Sequence, residues 1–310
     1  MDVEQSDVAI ALFVYNRPNR AEELLRSISS RPEILQLPVY IYSDGPKKSV
    51  KGDQEKVGIV RDICQQYSNF TLIEQPSNIG LANSIVGGVS SVLKKHESII
   101  VLEDDLELAE DFFDFMLTML ARYRFHPRVF HISGYMIPTS KQLPELGLYR
   151  LPGSWGWATW RDKWQHYTHD IHLLINKVKA KGLSAFNVDD SFNHFATLEE
   201  NASGARDTWA IRWYATLYLN NGYSLYPHKS FVRNRGFDKE ATNCKESDLL
   251  YQVDLRHRRN FWSDCDLPDI ESSSYLSAYK AFHQQLIESW NPSITLKQRV
   301  KSKLKRILGK

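Results

Sequence analysis

Five apolar segments alternate with amphipathic segments over the first 135 residues, and this alternation limits the chain to a few architectures. The first segment, residues 8–15, is continuously apolar, as expected for a strand that is buried on both faces of a sheet. The others lie at residues 39–42, 70–73, 99–102 and 129–132, with apolar side chains at helical spacing between them. Repeated strand–helix units predict an α/β fold with a mixed, mostly parallel sheet and right-handed crossovers.

Polar residues follow four of these predicted strands. In open α/β sheets, ligands bind at the carboxyl ends of the strands. This rule places on one rim the residues Asn16, Arg17, Asp44, Asn78, Glu103, Asp104 and Asp105. We therefore expect a ligand site at this edge of the sheet.

The acidic triplet Glu103-Asp104-Asp105 ends the fourth predicted strand. Carboxylate oxygens suit hard divalent cations such as Mg²⁺ and Mn²⁺. A single carboxylate at a strand end leaves the other positions of such a cation open to phosphate oxygens and water. The alternative is a solvated acidic turn before a helix, where acidic side chains also favour the helix dipole.

The segment SIIVLEDDLELAEDFFDFM, which contains this triplet, resembles the metal-binding segment of the N-acetylglucosaminyltransferases that initiate hybrid N-glycan branching, and of their O-mannose-linked relatives. The segments IALFVYNRP, VYIYSDG and SNIGLANSI occur in similar order and spacing. The pattern is also similar to bacterial sugar transferases that build surface polysaccharides. The resemblance covers about residues 8–245. It implies a GT-A fold and the metal-dependent, inverting transfer of a hexosyl or N-acetylhexosaminyl group from a nucleotide-diphosphate donor to a glycan.

The resemblance also implies roles for the rim residues. Asp105 would bind Mn²⁺ or Mg²⁺, Asp104 would face the ribose of the donor, and Glu103 would face the hydroxyls of the donor sugar. Asp44 would accept from the ring N–H of the base, and Arg17 would lie near the nucleotide or its phosphates.

Three of these rim assignments have alternatives. Asn78 falls where the animal enzyme has a histidine near the nucleotide, and its own role is left open. Asp44 can also be explained as the first residue of an Asp-Gly turn, and Arg17 as a surface cation before Pro18.

A sugar transfer by direct displacement needs a base that removes the proton of the attacking hydroxyl. Asp207 precedes a predicted helix over residues 209–217 and resembles the family's aspartate two residues before a tryptophan. It is therefore the candidate catalytic base, and Asp189 and Asp190 are the next candidates. The alternative is that Asp207 is the N-cap of the helix.

Residues 147–166 are rich in glycine and tryptophan and show no regular period. Irregular aromatic segments of this length are typical of binding surfaces. Trp155 and Trp157 are predicted to contact the acceptor, because aromatic rings suit the C–H faces of sugars. The alternative is that these tryptophans belong to the core.

Segment 231–244 resembles the flexible loop that closes over the donor in related enzymes. Its residues Arg233 and Arg235 could neutralise phosphate charge. They could equally be ordinary surface cations.

Charge is concentrated at the C-terminal end of the sequence. Residues 294–310 hold seven Lys or Arg and no acid, whereas the rest of the chain holds 32 basic and 37 acidic side chains. The mildly acidic body argues against nucleic-acid binding. The tail forms an amphipathic pattern that predicts contact with an anionic membrane surface, which would suit a lipid-linked glycan acceptor. The alternative is a frayed, solubilising terminus.

Further features of the sequence indicate a compartment. No apolar stretch approaches the roughly 20 residues that span a bilayer, and no secretory signal is visible at the first residues. Three cysteines without paired spacing, Cys64, Cys244 and Cys265, indicate neither a disulfide framework nor a zinc site. We expect a cytoplasmic protein attached peripherally to the inner face of the cell membrane.

Four parts are expected along the chain. Residues 1–135 would form a nucleotide-sugar-binding half and residues 136–245 the acceptor-binding half of the same domain. Residues 246–292 would form a helical extension, followed by the basic tail at 293–310.

Two other functions are compatible with these patterns. A nucleotidyltransferase uses a related fold and a divalent metal, but it carries a glycine-rich basic loop after its first strand, and residues 16–20 contain no glycine. A non-catalytic sugar-binding protein on the same scaffold is the second alternative, against which the intact Asp105 and Asp207 argue.

Deletion of residues 294–310 is expected to release the protein from anionic membranes, since each basic residue near such a surface contributes on the order of 1 kcal/mol. Activity on a soluble acceptor should not change. Co-sedimentation with anionic vesicles measures the first effect. A truncated protein that still pellets with the vesicles would contradict the prediction.

Overall fold

Within residues 7–34, 36–236, 248–256 and 270–290, which the computed structural model describes, eight strands form one mixed sheet. Its strands are β1 (Val8–Val14), β2 (Val39–Ser43), β3 (Thr71–Glu74), β4 (Ser98–Glu103), β6 (Val129–Ser133), β7 (Leu146–Tyr149), β8 (Trp157–Trp160) and β9 (Tyr223–Pro227). Two short strands, β5 (Leu106–Leu108) and β10 (Val232–Asn234), pair in a second, antiparallel sheet.

The order of the large sheet is β3-β2-β1-β4-β8-β6-β9-β7. β1 pairs in parallel with β2 and β4, and β2 pairs in parallel with β3. β8 is antiparallel to β4 and β6, β9 is parallel to β6, and β7 is antiparallel to β9. Only β7 and β8 therefore run against the other strands of this sheet, which confirms the predicted α/β class with a mixed, mostly parallel sheet.

Helices cover both faces of the sheet. They are α1 (Pro18–Ser29), α2 (Asp53–Gln65), α3 (Leu81–Leu93), α4 (Phe112–Tyr123), α5 (Arg161–Trp164), α6 (Ile171–Lys181), α7 (Leu183–Phe186), α8 (His194–Ala202), α9 (Trp209–Leu219) and α10 (Ser273–Trp290), with 3₁₀ turns at Pro32–Ile34 and Asp248–Tyr251. Pro18 occupies the first position of α1, where its missing N–H costs no helical hydrogen bond. The helices predicted between the first five strands, and the one predicted over residues 209–217, are all present. Among the described residues, none of the helices combines the length and the hydropathy that a membrane span requires.

β1 lies at the centre of two hydrophobic clusters. Its even-numbered residues pack with α1 and α4 on one face, and its odd-numbered residues pack with α3 and α9 on the other. All seven residues of the strand are buried. The prediction of a strand covered on both faces is therefore confirmed.

The tryptophan-rich segment differs from the sequence prediction. Residues 147–166 were expected to form an irregular surface, but they contain most of β7, all of β8 and α5. β8 lies between β4 and β6, and its four residues are buried. Trp157 is 0% exposed and stacks on Trp209 with ring centroids 5.0 Å apart. The assignment of Trp157 as an acceptor contact was therefore wrong, because a strand covered on both faces keeps this side chain in the core.

Parts of the C-terminal region lie outside the described residues. These are residues 237–247, 257–269 and the basic tail at 294–310, together with Cys244 and Cys265. The helical extension expected over residues 246–292 includes α10, whose residue Tyr275 packs against Gly147 of β7. The division into two halves at residue 135 stays a prediction.

His131 is a buried, uncharged residue at the centre of the second half of the sheet. Its Nδ1 accepts a hydrogen bond from Trp213 Nε1 at 3.2 Å, and its Nε2 donates to the carbonyl of Gly153 at 2.9 Å. Burial lowers the pKa of His131 to about 3. Protonation would place a charge in the core and oppose the bond from Trp213.

The pH dependence of stability tests this state of His131. The folded pKa of about 3 lies below the ordinary value of 6.5, so the stabilisation is complete above 6.5 and is lost as the pH falls toward 3. We expect this histidine to contribute up to about 1.4 kcal/mol per pH unit to that loss. Urea unfolding at pH 7 and pH 5 should show a smaller pH dependence for His131→Gln than for the wild type. His172→Gln, at an exposed position, is the control, and equal pH dependence in all three proteins would contradict the assignment.

Candidate functional site

The ends of β1 and β4 bring the acidic triplet against the loop that follows β1. The two strands pair in parallel, with Phe13 opposite Glu103. The backbone N–H of Asp104 donates to the carbonyl of Phe13 at 3.1 Å, and the backbone N–H of Tyr15 donates to Asp104 Oδ2 at 3.1 Å. The predicted rim is therefore formed at this point of the sheet, and Asp104 is fixed by the neighbouring strand.

Asp105 forms the centre of the site. Its Oδ2 lies 3.0 Å from Arg17 Nη1, and the two side chains are only 17% and 11% exposed. The other carboxylate oxygen, Oδ1, is buried and has no hydrogen-bond partner among the described residues. The structure thus brings together two residues that the sequence placed on one rim, and it leaves one oxygen of Asp105 without a hydrogen bond.

The three carboxyl groups of the triplet are destabilised in their charged forms by burial and by their proximity to one another. Burial raises the pKa of Asp104 to about 7, and the neighbouring charge of Asp105 adds to the effect. Burial also raises the pKa of Glu103 well above its ordinary value, again with repulsion from Asp105. Burial raises the pKa of Asp105 as well, and the positive charge of Arg17 opposes the rise in all three acids without reversing it. The site therefore favours additional positive charge.

The residues present fit a hard divalent cation. The unpartnered Asp105 Oδ1 is an oxygen ligand of the type that Mg²⁺ and Mn²⁺ take. The described residues contain no group of three or more His, Cys, Asp or Glu that could hold a metal by themselves. A cation here would therefore be held by Asp105 and would need further oxygen ligands from a bound molecule.

Gly236 is a part of the site that the sequence analysis missed. It follows β10, which pairs with β5 directly after the triplet, and the backbone N–H of Arg235 donates to the carbonyl of Asp105 at 2.8 Å. A Cβ added at Gly236 would lie 2.3 Å from Asp105 Oδ2. Only glycine therefore allows this close approach. The signal in the sequence was a lone glycine within a charged segment.

The two arginines near β10 have acidic partners. Arg233 lies in β10 and binds Glu107 of β5, with Nη2 and Oε2 2.7 Å apart. Arg235 Nη1 lies 3.0 Å from Glu23. The expected flexible loop therefore begins as a strand in which Arg233 stabilises the small sheet, and residues 237–244 lie outside the described residues.

Asp44 and Asn78 join the end of β2 to the start of α3. Asp44, which is 6% exposed, accepts backbone N–H bonds of 2.8, 2.9 and 3.1 Å from Gly45, Ile79 and Gly80. Asn78 Nδ2 donates to the carbonyl of Gly45 at 3.0 Å. Both residues shape this part of the rim. Contact of Asp44 with a base stays a prediction.

Asp53 is a second residue that the sequence analysis missed. It is 1% exposed and accepts hydrogen bonds from the Tyr15 hydroxyl, from Asn16 Nδ2 at 2.6 Å and from the Lys47 backbone at 2.6 Å. Burial alone would raise the pKa of Asp53, but these hydrogen bonds lower it below its ordinary value. Asp53 therefore ties the loop after β1 to the loop after β2. An aspartate at the start of a helix gave no signal of this role.

Asp207 lies just before α9 but does not cap it. The N-cap position is Thr208, so the alternative explanation of Asp207 as the N-cap was wrong. Asp207 Oδ1 accepts from Arg212 Nη2 at 3.1 Å, and its side chain is 59% exposed. The carboxylate is therefore accessible to a ligand, as a catalytic base must be.

Trp155 lines a cavity of about 330 Å³ that is also lined by Arg206 and Thr208, the two neighbours of Asp207. Tyr135 meets the Trp155 ring edge-on, with centroids 4.6 Å apart. Trp155 therefore shares this cavity with the two neighbours of the candidate base, whereas Trp157 does not line it.

Asp189 and Asp190 serve the packing of neighbouring elements. Asp189 pairs with Arg150 at 3.1 Å and with Lys280 of α10 at 2.7 Å. Asp190 Oδ2 accepts from the hydroxyl of Ser184 at 2.7 Å. With these partners, both residues are weaker candidates for the base than Asp207.

Comparisons with known proteins give a likeness in fold only. No family model and no curated protein matches the chain. Among solved structures, the chain is similar to the mannosyltransferase PcManGT from Pyrobaculum calidifontis in complex with GDP-Man and Mn²⁺, at 15% identity and a TM-score of 0.41, over 70% of this chain and 71% of that one. It is also similar to mannose-1-phosphate geranyltransferase from Thermus thermophilus, at 13% identity and a TM-score of 0.34, over 71% and 73% of the two chains.

A third similar structure is that of S. aureus TarS 1-349, at 11% identity and a TM-score of 0.41, over 74% of this chain and 60% of that one. At these identities and TM-scores, the function of the site has to be inferred from the chain's own residues.

Gly236→Ala is expected to displace the Asp105 carboxylate, because the added methyl group would overlap Oδ2. We expect Mn²⁺ binding in the presence of a nucleoside diphosphate to weaken roughly 10- to 100-fold, as for other changes beside a metal ligand. Titration calorimetry measures the effect. Gly58→Ala is the control, because a Cβ at Gly58 meets nothing within 4 Å. Equal Mn²⁺ affinity in both variants would show that Asp105 does not bind the metal.

Proposed function

We propose that the protein is a metal-dependent glycosyltransferase that moves a sugar from a nucleotide-diphosphate donor to a glycan acceptor with inversion at the anomeric carbon. The observation that carries this proposal is the half-satisfied carboxylate of Asp105 at the end of β4, with one oxygen on Arg17 and the other without a partner among the described residues. Such a site binds an anionic ligand together with a cation more readily than it binds either alone.

The donor's diphosphate is the ligand that this chemistry suits. Mn²⁺ or Mg²⁺ held by Asp105 would supply positive charge that stabilises the departing nucleotide diphosphate. Arg17 offers guanidinium N–H groups to the same phosphate oxygens. Asp104 and Glu103 then lie beside the ribose and the donor sugar, where carboxylate oxygens accept hydrogen bonds from hydroxyl groups.

The nucleotide would lie along the rim built by the ends of β1 and β2. Asp44 and Asn78 connect the residues after β2 with those before α3, and Asp53 holds Tyr15 and Asn16. These partly buried hydrogen bonds would fix the shape of the rim before a donor arrives. A fixed rim lowers the entropic cost of binding.

Asp207 would act as the base. The acceptor hydroxyl oxygen forms a bond to the anomeric carbon, its proton passes to the Asp207 carboxylate, and the bond from the anomeric carbon to the phosphate oxygen breaks with its electron pair leaving on the diphosphate. The exposed position of Asp207 allows it to reach an acceptor from solvent. Attack from the side opposite to the leaving group gives inversion.

The alternatives are less well supported by the site. A nucleotidyltransferase would need a loop after β1 that wraps phosphates, whereas here Pro18 begins α1 immediately and Asp53 immobilises Tyr15 and Asn16. Against a non-catalytic binding protein stand Asp105 and Asp207, both of which are intact. Release of pyrophosphate from a nucleoside triphosphate would favour the first alternative.

The biological setting is part of the same proposal. We place the reaction in bacterial surface-polysaccharide assembly, with a lipid-linked glycan as the acceptor and residues 294–310 attached to the inner face of the membrane. These three points are inferred from the sequence alone. Those residues lie outside the described part of the chain.

Two variants separate donor binding from turnover. Asp105→Ala should abolish metal-dependent donor binding, whereas Asp207→Asn should keep binding and reduce turnover by roughly 100-fold or more, as expected for loss of a general base. A thermal-shift panel of nucleotide sugars with and without Mn²⁺ identifies the donor, since stabilisation by a ligand at 100 times its Kd is about 2.7 kcal/mol.

The same panel, followed by single-turnover assays, then compares the variants. Asp62→Asn, an exposed aspartate on α2, is the matched control and should behave as wild type. Equal turnover in Asp105→Ala, Asp207→Asn and Asp62→Asn would overturn both assignments. Failure of every nucleotide sugar to stabilise the wild-type protein with Mn²⁺ would overturn the proposed function.

A further inference from the structure

The cavity beside Asp207 has an aromatic wall whose polar atoms are already used. The Tyr135 hydroxyl donates to the carbonyl of Tyr251 at 2.8 Å, and the Tyr226 hydroxyl donates to the carbonyl of Leu151 at 2.9 Å. The hydroxyl of Tyr214 likewise donates to a backbone carbonyl, at 2.6 Å. The hydroxyl protons of these tyrosines are therefore already used, and their rings line the cavity together with that of Trp155.

Polar residues also line the cavity: they are His194, Thr197, Arg206 and Thr208, and Asp207 stands between the last two in the sequence. Arg206 pairs with Glu200 at 3.1 Å, so the lining carries a balanced pair and not an uncompensated positive charge. A ligand that matches this cavity has an apolar face, hydroxyl groups and no net charge.

His194 is the polar group of this lining that has no assigned partner. Its Nε2 is buried and has no hydrogen bond among the described residues. The ring lies between those of Tyr214 and His283, with centroids 5.6 and 5.2 Å away. Burial lowers the pKa of His194 to about 3, so at neutral pH the ring is uncharged, with one N–H and one lone pair. A buried hydrogen-bonding atom without a partner costs stability, and native proteins keep few of them.

The backbone next to His194 is strained. Val188, Asp189 and Asp190 are three consecutive non-glycine residues with positive φ angles of 54°, 51° and 61°. The ion pairs of Asp189 hold this turn, and Ser191 hydrogen-bonds to His283 at 3.0 Å. Backbone strain that the surroundings maintain in this way clusters at ligand sites.

We propose that this cavity binds a neutral pyranose ring of the acceptor, with its C–H face on the aromatic wall around Trp155 and one hydroxyl hydrogen-bonded to His194. The inference rests on the proposed function, because the attacking hydroxyl has to reach Asp207, whose neighbours Arg206 and Thr208 line the cavity. Its volume of about 330 Å³ is near the lower end of ligand pockets, which suits a single ring better than an extended chain. His194 is then a specificity residue that selects the position or configuration of one hydroxyl.

The test uses methyl glycosides of glucose, galactose, mannose and N-acetylglucosamine as probes on the full chain, without donor or metal. Saturation-transfer NMR should show that at least one of them binds, and titration should give its Kd. In His194→Phe, which keeps a ring of similar size, that Kd should rise roughly 3- to 10-fold, the value of one neutral hydrogen bond. His194→Gln should restore part of the affinity.

The melting temperature of His194→Phe should be equal to or above that of the wild type, because the unpaired Nε2 is removed.

His172→Phe, at an exposed position on α6, is the control and should leave the Kd unchanged. A lower melting temperature of His194→Phe with an unchanged Kd would mean that His194 is a structural residue, and would overturn the proposal. So would binding of an isoprenoid alcohol such as farnesol when none of the glycosides binds. If transfer occurs with a nucleotide sugar but the KM of the acceptor is the same in His194→Phe, the inference fails and the proposed function stands. If the glycosides bind through His194 but no donor binds or reacts, the proposed function fails and the sugar site stands.

Discussion

The parallel pairing of β1 with β4 is the constraint on which the site depends. Both strands are buried on both faces, so a shift of register by one residue would exchange the residues of the two hydrophobic clusters. The fixed register places Phe13 opposite Glu103. The residues that follow on the two strands are therefore adjacent, so that Tyr15 can donate to Asp104 and Arg17 can pair with Asp105. Core packing therefore holds close together charged groups that repel one another.

This arrangement has an electrostatic cost that a ligand can relieve. Three carboxyl groups are gathered where burial raises their pKa values, and Arg17 compensates only part of the charge. Burying a charged oxygen without a partner is expensive, so the unpaired oxygen of Asp105 costs the folded protein stability. Gly236 contributes to the same crowding. Its backbone, just after β10, lies so close to Asp105 that a Cβ at this position would overlap the carboxylate.

The sequence predicted the first half of the fold well because its signals there are local. The apolar run of β1 and the helical spacing of α1 to α4 can be recognised within each segment alone, because each pattern reflects the burial of that segment. β8 escaped prediction because Trp157 to Trp160, preceded by Gly153 and Gly156, also has the composition of a binding loop, and only the pairing with β4 and β6 makes it a core strand. Gly236 and Asp53 escaped for a related reason, since their roles arise from contacts with residues far away in the sequence, Asp105 and Tyr15.

The correction of Trp157 also changes the explanation of Asp207. Trp157 stacks on Trp209, the first residue of α9, and Trp213 of the same helix donates to His131 next to Trp157 in the core. These contacts fix the start of α9, and hence the loop that carries Asp207, relative to β8. β8 in turn pairs with β4, whose end carries Asp105. Trp157 is therefore better described as a positioning residue than as an acceptor contact. The end of β4 with Asp105 and the start of α9 next to Asp207 are thus connected through paired strands and stacked rings.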